Sequence, residues 1–121
     1  MYAELGIGLR ELVVKPGQLD NFRAPTAEMV ESTRSEPDVL VYERFISDDG
    51  KDVHVYERYT DSESAVAHLH AFGEKFGRRF VGMIDRRLLT VYGTPSGELK
   101  RMLDAFGATY LRHFGGFSQV A

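Results

Sequence analysis

Two β-rich runs joined by a four-residue turn constrain the fold of this chain more than any other feature. Residues 39–47 and 52–60 are rich in valine and tyrosine, and Asp48-Asp49-Gly50-Lys51 stands between them. An Asp-Gly pair between two such runs is a strong hairpin signal. The runs also share a phrase, VYERF in the first and VYERY in the second. We interpret this match as two strands that meet the same burial requirement, because one short match does not make a solenoid repeat.

The periodicity on both sides of the hairpin predicts the order β-α-β-β-α-β, followed by a C-terminal helix and a short last strand. The alternation of apolar residues in the first strand changes parity near Arg10, which predicts a β-bulge there. Pro25 predicts a kink or restart in the first helix, and Pro95 is suited to the first turn of the third. The predicted elements cover residues 4–14, 18–33, 39–47, 52–60, 61–80, 86–93, 94–107 and 109–114. This order is that of the ferredoxin-like α+β fold, an antiparallel sheet with two helices on one face.

The hairpin carries large apolar or aromatic groups on both parities. One parity holds Val39, Val41, Phe45, Val53, Val55 and Tyr59. The other holds Leu40, Tyr42, Ile46, His54 and Tyr56, with Arg44 and Arg58 among them. Because the helices cover only one face of the sheet, we expect a partner to cover the other. The sequence therefore predicts a homodimer that pairs through the face bearing Tyr42, Arg44, His54, Tyr56 and Arg58.

Length, charge and composition narrow the class of protein. The 121 residues fit one domain, over residues 1–121. The formal charge of -3 argues against a nucleic-acid partner, which usually needs a basic face. The absence of cysteine excludes disulfides, thiolate catalysis and sulfur-ligated metals. No apolar run approaches the ~18 residues of a membrane span, and residues 1–10 do not read as a signal peptide, so we expect a cytoplasmic location and no membrane partner.

Several motifs around the hairpin resemble the antibiotic biosynthesis monooxygenase (ABM) family. The pieces are Ser35-Glu36-Pro37, Tyr42, Tyr56-Glu57-Arg58-Tyr59, Asp61-Ser62-Glu63-Ser64-Ala65 and His68. The resemblance spans about residues 11–80 and implies a dimeric α+β barrel. It also implies oxidation of phenols or quinols with O2, without metal or flavin. Tyr59 stands where the family has tryptophan, and Asp38 where it has glycine. The positions that mark heme-degrading relatives hold Ile7 or Gly8, His68 and Arg78, so heme degradation is not expected.

Three residues are the candidates for catalysis. His68 lies at the border of the apolar stripe of the second long helix, where an imidazole can face a cavity and accept a phenolic proton. The alternative is a hydrogen-bonded structural histidine. Glu57 should face the helices and needs a partner, either His68 or an arginine in a structural pair. Tyr59 either donates a hydrogen bond to a substrate oxygen or fills the core. Val55, Phe72 and Phe76 are the expected substrate-binding walls if a cavity exists.

These residues favour a cofactor-independent monooxygenase that oxidises a small aromatic phenol or hydroquinone with O2. No metal site is expected, since His68 and His70 stand two apart on a helix and point in different directions. A second interpretation is a non-catalytic dimer that binds a small ligand or serves as a scaffold. A third is an isomerase of a small carbonyl compound, because one fold hosts several chemistries.

Overall fold

The strands of the chain form one mixed sheet, and the helices pack on one of its faces. The computed structural model describes residues 5–119, with side chains described from residue 10 onward. The elements in chain order are β1 (Leu5–Val14), α1 (Leu19–Arg34), β2 (Val39–Ile46), β3 (Asp52–Tyr59), α2 (Ser62–Met83), β4 (Ile84–Tyr92), α3 (Gly97–Asp104) and β5 (Thr109–Leu111). The predicted start of β1 at residue 4 lies outside the described residues.

The strand order of the sheet is β2-β3-β1-β4-β5. The first four strands pair antiparallel, while β5 pairs parallel to β4. A βαββαβ chain with this order is the ferredoxin-like fold, to which β5 adds a short fifth strand. The predicted fold class is therefore confirmed.

Local chemistry fixes the helix ends. Asp61 caps α2 by accepting a 2.8 Å hydrogen bond from the backbone N–H of Ser64, as expected. The expected place of Pro95 was wrong, because α3 begins at Gly97 after its N-cap Ser96. A helix restart at Pro25 was also wrong, since α1 is continuous through it. Buried side chains of α1 lie on both sides of the proline, so packing outweighs one missing backbone hydrogen bond.

Irregularities in the strands decide which side chains face the helices. Around Arg10, β1 shifts register between Ile7 and Leu9 against β3, between Gly6 and Leu9 against β4, and between Glu11 and Leu12 against β4. The irregularity expected near Arg10 is thus present, as shifts of register on both sides of that residue.

A further shift in β2 was not expected. Val39 pairs with Tyr59 and Val41 with Arg58, so Leu40 is one extra residue on β2. Beyond it, Tyr42 lies opposite Glu57 and Arg44 opposite Val55. Directly opposed residues share a face of the sheet, so Tyr42 and Arg44 face the helices. Their predicted place on the open face was wrong, because a bulge reverses the alternation of every residue that follows it.

The face of the sheet away from the helices, here called the open face, retains exposed apolar side chains. His54, Tyr56 and Arg58 lie on it as predicted, since their neighbours in β3 are buried against the helices. Phe45 is 56% exposed there and Leu88 58%. Residues 112–119, here called the tail, pass over part of this face, where Arg58 Nη1 donates a 3.2 Å hydrogen bond to Ser118 Oγ. No helix within residues 5–119 is long and apolar enough to cross a membrane.

Candidate active site

A cavity of about 160 Å³ lies between α2, α3 and the helix-facing side of the sheet, and is here called the main cavity. Its apolar walls come from the sheet, from α2, and from α3 with the turn that follows it. They are formed by Val55, Leu69, Phe72, Phe80, Met102 and Phe106. Its polar lining consists of Arg10, Tyr42, Arg44, Glu57, His68 and Arg86. An apolar cavity with a few converging polar groups is the usual form of a small-molecule site.

Glu57 is the most connected polar residue of this wall. Its position on β3, between Val55 and Tyr59, turns the carboxylate toward the helices and buries it. Arg10 Nε of β1 donates to Glu57 Oε2 at 2.7 Å, and Tyr59 Oη donates to Glu57 Oε1 at 2.5 Å. His68 Nε2 lies 3.5 Å from the same Oε1. Both partners anticipated for Glu57, His68 and an arginine, are therefore present together.

These contacts keep Glu57 ionised in a buried place. Burial by itself would raise the pKa of Glu57, but the charges of Arg10 and His68 and the hydrogen bonds from Tyr59 and Arg10 lower it overall. The pKa of Tyr59 shifts the other way, because burial and the carboxylate of Glu57 raise it well above its usual range and outweigh the opposing charge of Arg10. Tyr59 therefore stays protonated and remains a donor.

His68 projects from α2 into the wall of the main cavity and is 3% exposed. Its Nδ1 lies 3.1 Å from Glu36 Oε1, in the loop after α1, while its Nε2 faces Glu57. Rings pack around it, with the Tyr42 centroid at 5.4 Å and the Phe72 centroid at 6.3 Å. Both ring nitrogens thus face carboxylates, an arrangement that can hold one proton or pass it on.

The remaining predicted residues divide between the cavity and the core behind it. Val55 and Phe72 line the main cavity. Phe76 packs in the core beside Phe72, with ring centroids 5.9 Å apart, and Phe80 lines the cavity instead. Tyr59 is fully buried and is not part of the lining, so its hydroxyl reaches Glu57 rather than the cavity.

Sequence reasoning missed five polar residues of the site, because their positions depend on strand register and loop path. Arg10 shares the parity of the buried Leu12 and Val14, a signal that could have placed it here. Glu36 could have been found through the Glu-Pro motif. No signal in the sequence marks the bulge that brings in Tyr42 and Arg44. Arg86 lies on β4, where the register shift obscured its direction.

The three arginines of the main cavity face a single carboxylate. Burial lowers the pKa of Arg86, and so does the nearby charge of Arg10. For Arg10 itself, burial opposes and Glu57 favours the charged form, with a raised pKa as the result. Within the part of the chain that the structure describes, no group of three or more His, Cys, Asp or Glu side chains is arranged to hold a metal ion.

The sequence of the chain also matches a known protein family. Residues 9–73, just over half of the chain, match the model of antibiotic biosynthesis monooxygenases. The chain belongs to this family. The match includes the second half of β1, α1, the hairpin and the first half of α2, and hence every candidate catalytic residue. The resemblance read from the motifs is thereby confirmed.

Solved structures share the fold of this family member. MupZ from Pseudomonas fluorescens is 22% identical, with a TM-score of 0.82 over 98% of this chain and 96% of that one. SnoaB from Streptomyces nogalater, a cofactor-independent oxygenase, is 11% identical, with a TM-score of 0.66 over 78% and 96%. Rv0793 from Mycobacterium tuberculosis is 19% identical, with a TM-score of 0.58 over 78% and 97%. At these identities the likeness establishes the fold. No curated protein matches the sequence significantly.

Proposed function

We propose that this protein is a cofactor-independent monooxygenase that oxidises a small aromatic phenol or hydroquinone with O2. The observation that carries the proposal is the buried His68 in the wall of an apolar cavity, with Nε2 facing the ionised Glu57. Membership of the antibiotic biosynthesis monooxygenase family supports the same class of reaction. His68 is the proposed catalytic residue, and Glu57 and Tyr59 are positioning residues that act through it.

The proton chemistry follows from the two carboxylates. A neutral His68 can donate from one ring nitrogen only, so donation from Nδ1 to Glu36 leaves the lone pair of Nε2 available. The 3.5 Å between Nε2 and Glu57 is too long for a strong hydrogen bond, and a substrate hydroxyl can compete for Nε2. The imidazolium that forms when His68 takes the phenolic proton is stabilised by Glu57.

The phenolate then reacts with O2 without a further cofactor. One electron passes from the phenolate to O2, and the resulting radical pair combines to form a ring C–O bond. His68 returns its proton to the peroxide, the ring carbon loses its own proton, and the O–O bond breaks with release of water. One oxygen atom ends in the quinone carbonyl and the other in water, so four electrons are transferred. The apolar walls exclude bulk water from these steps.

Oxygen uptake tests this proposal directly. Protein that has been treated with a chelator and shows no flavin absorbance should consume O2 with hydroquinone above the rate of autoxidation. His68→Ala should lower the protein-dependent rate about 10²-fold or more, the usual size of a general-base contribution. His70→Ala is the matched control, because His70 is exposed on the same helix. Background rates across a panel of phenols and hydroquinones, with folded wild-type protein, would contradict the proposal.

A second candidate is an acid–base reaction without O2, such as isomerisation of a small carbonyl compound. It is favoured by the contact of both ring nitrogens of His68 with carboxylates, because an imidazolium can donate to both and then serves as an acid. Turnover of such a compound under argon, sensitive to His68→Ala, would support this candidate over the oxygenase. Saturable binding without turnover in either assay would support a binding protein.

The proposed function includes a homodimer formed through the open face. The helices leave this face uncovered, and it presents Val41, Phe45, Leu88 and Tyr92 beside Tyr56. Contiguous exposed apolar surface on a sheet calls for a partner, and a second copy meets the requirement with the same residues. A stable interface of this kind buries roughly 2,000 Å² or more in total.

A further inference from the structure

An arginine in the main cavity has more hydrogen-bond donors than partners. Arg44 lies on β2 beyond the Leu40 bulge and donates from Nη2 to Tyr42 Oη at 2.5 Å. Its Nε and Nη1 are buried, and neither has a hydrogen-bond partner in the described part of the chain. A buried donor without an acceptor is costly, and a charged one more so. Such a group calls for an acceptor that arrives with a ligand.

The net charge of the cavity lining also favours a ligand that carries a negative charge. Arg10, Arg44 and Arg86 line it against one carboxylate, Glu57, which Arg10 already engages. Neither Arg44 nor Arg86 forms an ion pair with a carboxylate among residues 10–119. Arg86 instead lies 4.6 Å above the ring of Phe106, another lining residue. The three arginines and Glu57 alone therefore give the lining an excess of two positive charges.

We propose that the ligand of the main cavity is a single-ring aromatic molecule that carries a carboxylate, and that Arg44 binds this carboxylate. The guanidinium group presents its donors in a fixed plane that suits a carboxylate. The volume of about 160 Å³ fits one aromatic ring, since an apolar cavity of ~150 Å³ holds benzene. The inference rests on the proposed function only in taking this cavity as the substrate site.

Two probe ligands of similar shape, one charged and one neutral, test whether the cavity prefers a carboxylate. Binding of 2,5-dihydroxybenzoate and of its neutral methyl ester is measured by calorimetry under argon, so that no oxidation is needed. Wild-type protein should bind the acid at least about 10-fold more tightly than the ester, because a hydrogen bond to a charged group is worth that much or more. Equal affinities for acid and ester would overturn the proposal. The result does not depend on O2 uptake, so failure of the oxygenase assay is a separate outcome.

Substitution of Arg44 tests the residue. Arg44→Met should weaken binding of the acid by about 10- to 100-fold and leave binding of the ester unchanged. Without ligand, the variant should melt at the same or a higher temperature, since an apolar side chain replaces an unpaired buried charge. Arg78→Met is the control for loss of one surface charge, because Arg78 is exposed on α2. If Arg44→Met does not fold, Arg44→Lys should still reduce the acid preference, because lysine lacks the planar fork.

One further variant tests which of two neighbouring cavities binds the carboxylate. Arg44 also lines a neighbouring cavity with Thr26, whose Oγ1 is likewise buried without a hydrogen-bond partner. Thr26→Val removes that hydroxyl at nearly constant volume and should leave binding of the acid unchanged. A loss as large as that of Arg44→Met would place the anion in the neighbouring cavity and overturn the assignment to the main one. An acid preference unchanged in Arg44→Met and Arg44→Lys would overturn the role of Arg44.

Discussion

At the scale of single residues, one buried carboxylate organises its surroundings. Glu57 is 2% exposed and receives hydrogen bonds from Arg10 and Tyr59 while facing His68. A buried charge is tolerated only when paired and hydrogen-bonded, and each oxygen of this carboxylate has a donor. Because the same contacts orient His68, the residues that stabilise this part of the fold also prepare the proposed base.

The stability contribution of Glu57 should depend on pH. At neutral pH, Glu57→Gln leaves the charge of Arg10 buried without its counter-charge, which should lower the free energy of unfolding by about 3–5 kcal/mol. The folded-state pKa of Glu57 is lowered, so the contribution is present above the pKa of the unfolded state. It is lost as pH falls through the lower folded-state pKa.

Urea unfolding of the wild type and of Glu57→Gln measures this effect from pH 7 into the acid range. The difference in unfolding free energy should stay constant near neutral pH and narrow below the ordinary carboxyl range. Glu31→Gln, at an exposed pair with Arg34, is the control and should change little at any pH. A difference that stays constant throughout the acid range would show that Glu57 does not titrate as described.

At the scale of elements, the sequence predicted each strand and helix but not the direction of every side chain. Alternation placed Val55 and Glu57 correctly, and helical spacing placed His68 and Phe72 against the sheet. The same alternation failed on β2, because one extra residue there reverses all later faces. A bulge depends on how two strands meet in space, so a single strand's pattern need not reveal it. The cavity residues contributed by β2 were therefore beyond sequence reasoning.

The turn between β2 and β3 offers a test of how this hairpin is held. Gly50 has φ +76°, a left-handed conformation in which a side chain is strained, and a Cβ there would lie 2.7 Å from Leu19 Cδ2 at the start of α1. Gly17 has nearly the same φ, +77°, but open space around it. Gly17→Ala should lower the free energy of unfolding by about 1–2 kcal/mol through backbone strain alone.

Gly50→Ala should lower the free energy of unfolding further than Gly17→Ala does, because Leu19 must also move. Urea titration of the two variants compares them directly, with the difference between them reporting the contact of Leu19 with the hairpin turn. Equal losses would mean that Leu19 yields without resistance, and that the turn is not packed against α1.

At the scale of the whole molecule, the two faces of the sheet have different roles. The helix-facing side holds two buried apolar clusters and the main cavity between α2 and the strands. The open face holds exposed aromatic and aliphatic groups and part of the tail, including Phe117 at 84% exposure. The proposed reaction and the proposed dimer contact thus use opposite faces of one sheet.

A charge placed on the open face should disrupt the proposed dimer. Tyr56 lies on β3 opposite Glu43, and Tyr56→Asp introduces a carboxylate that a dimer interface would have to bury without a partner. Light scattering at micromolar concentration should give a dimer mass for the wild type and a reduced mass for Tyr56→Asp. Glu74→Ala, on an exposed position of α2, should keep the wild-type mass. A folded wild-type monomer at this concentration would exclude the dimer.

The same bulge that turns Arg44 inward also interrupts an edge of the sheet. A flat edge strand is a template on which another chain can add by backbone hydrogen bonding, and growth from edge to edge leads toward amyloid. Here β2 forms one edge and carries the Leu40 bulge, while β5 forms the other and is only three residues long. Both edges are therefore poor templates for the addition of a strand from another chain.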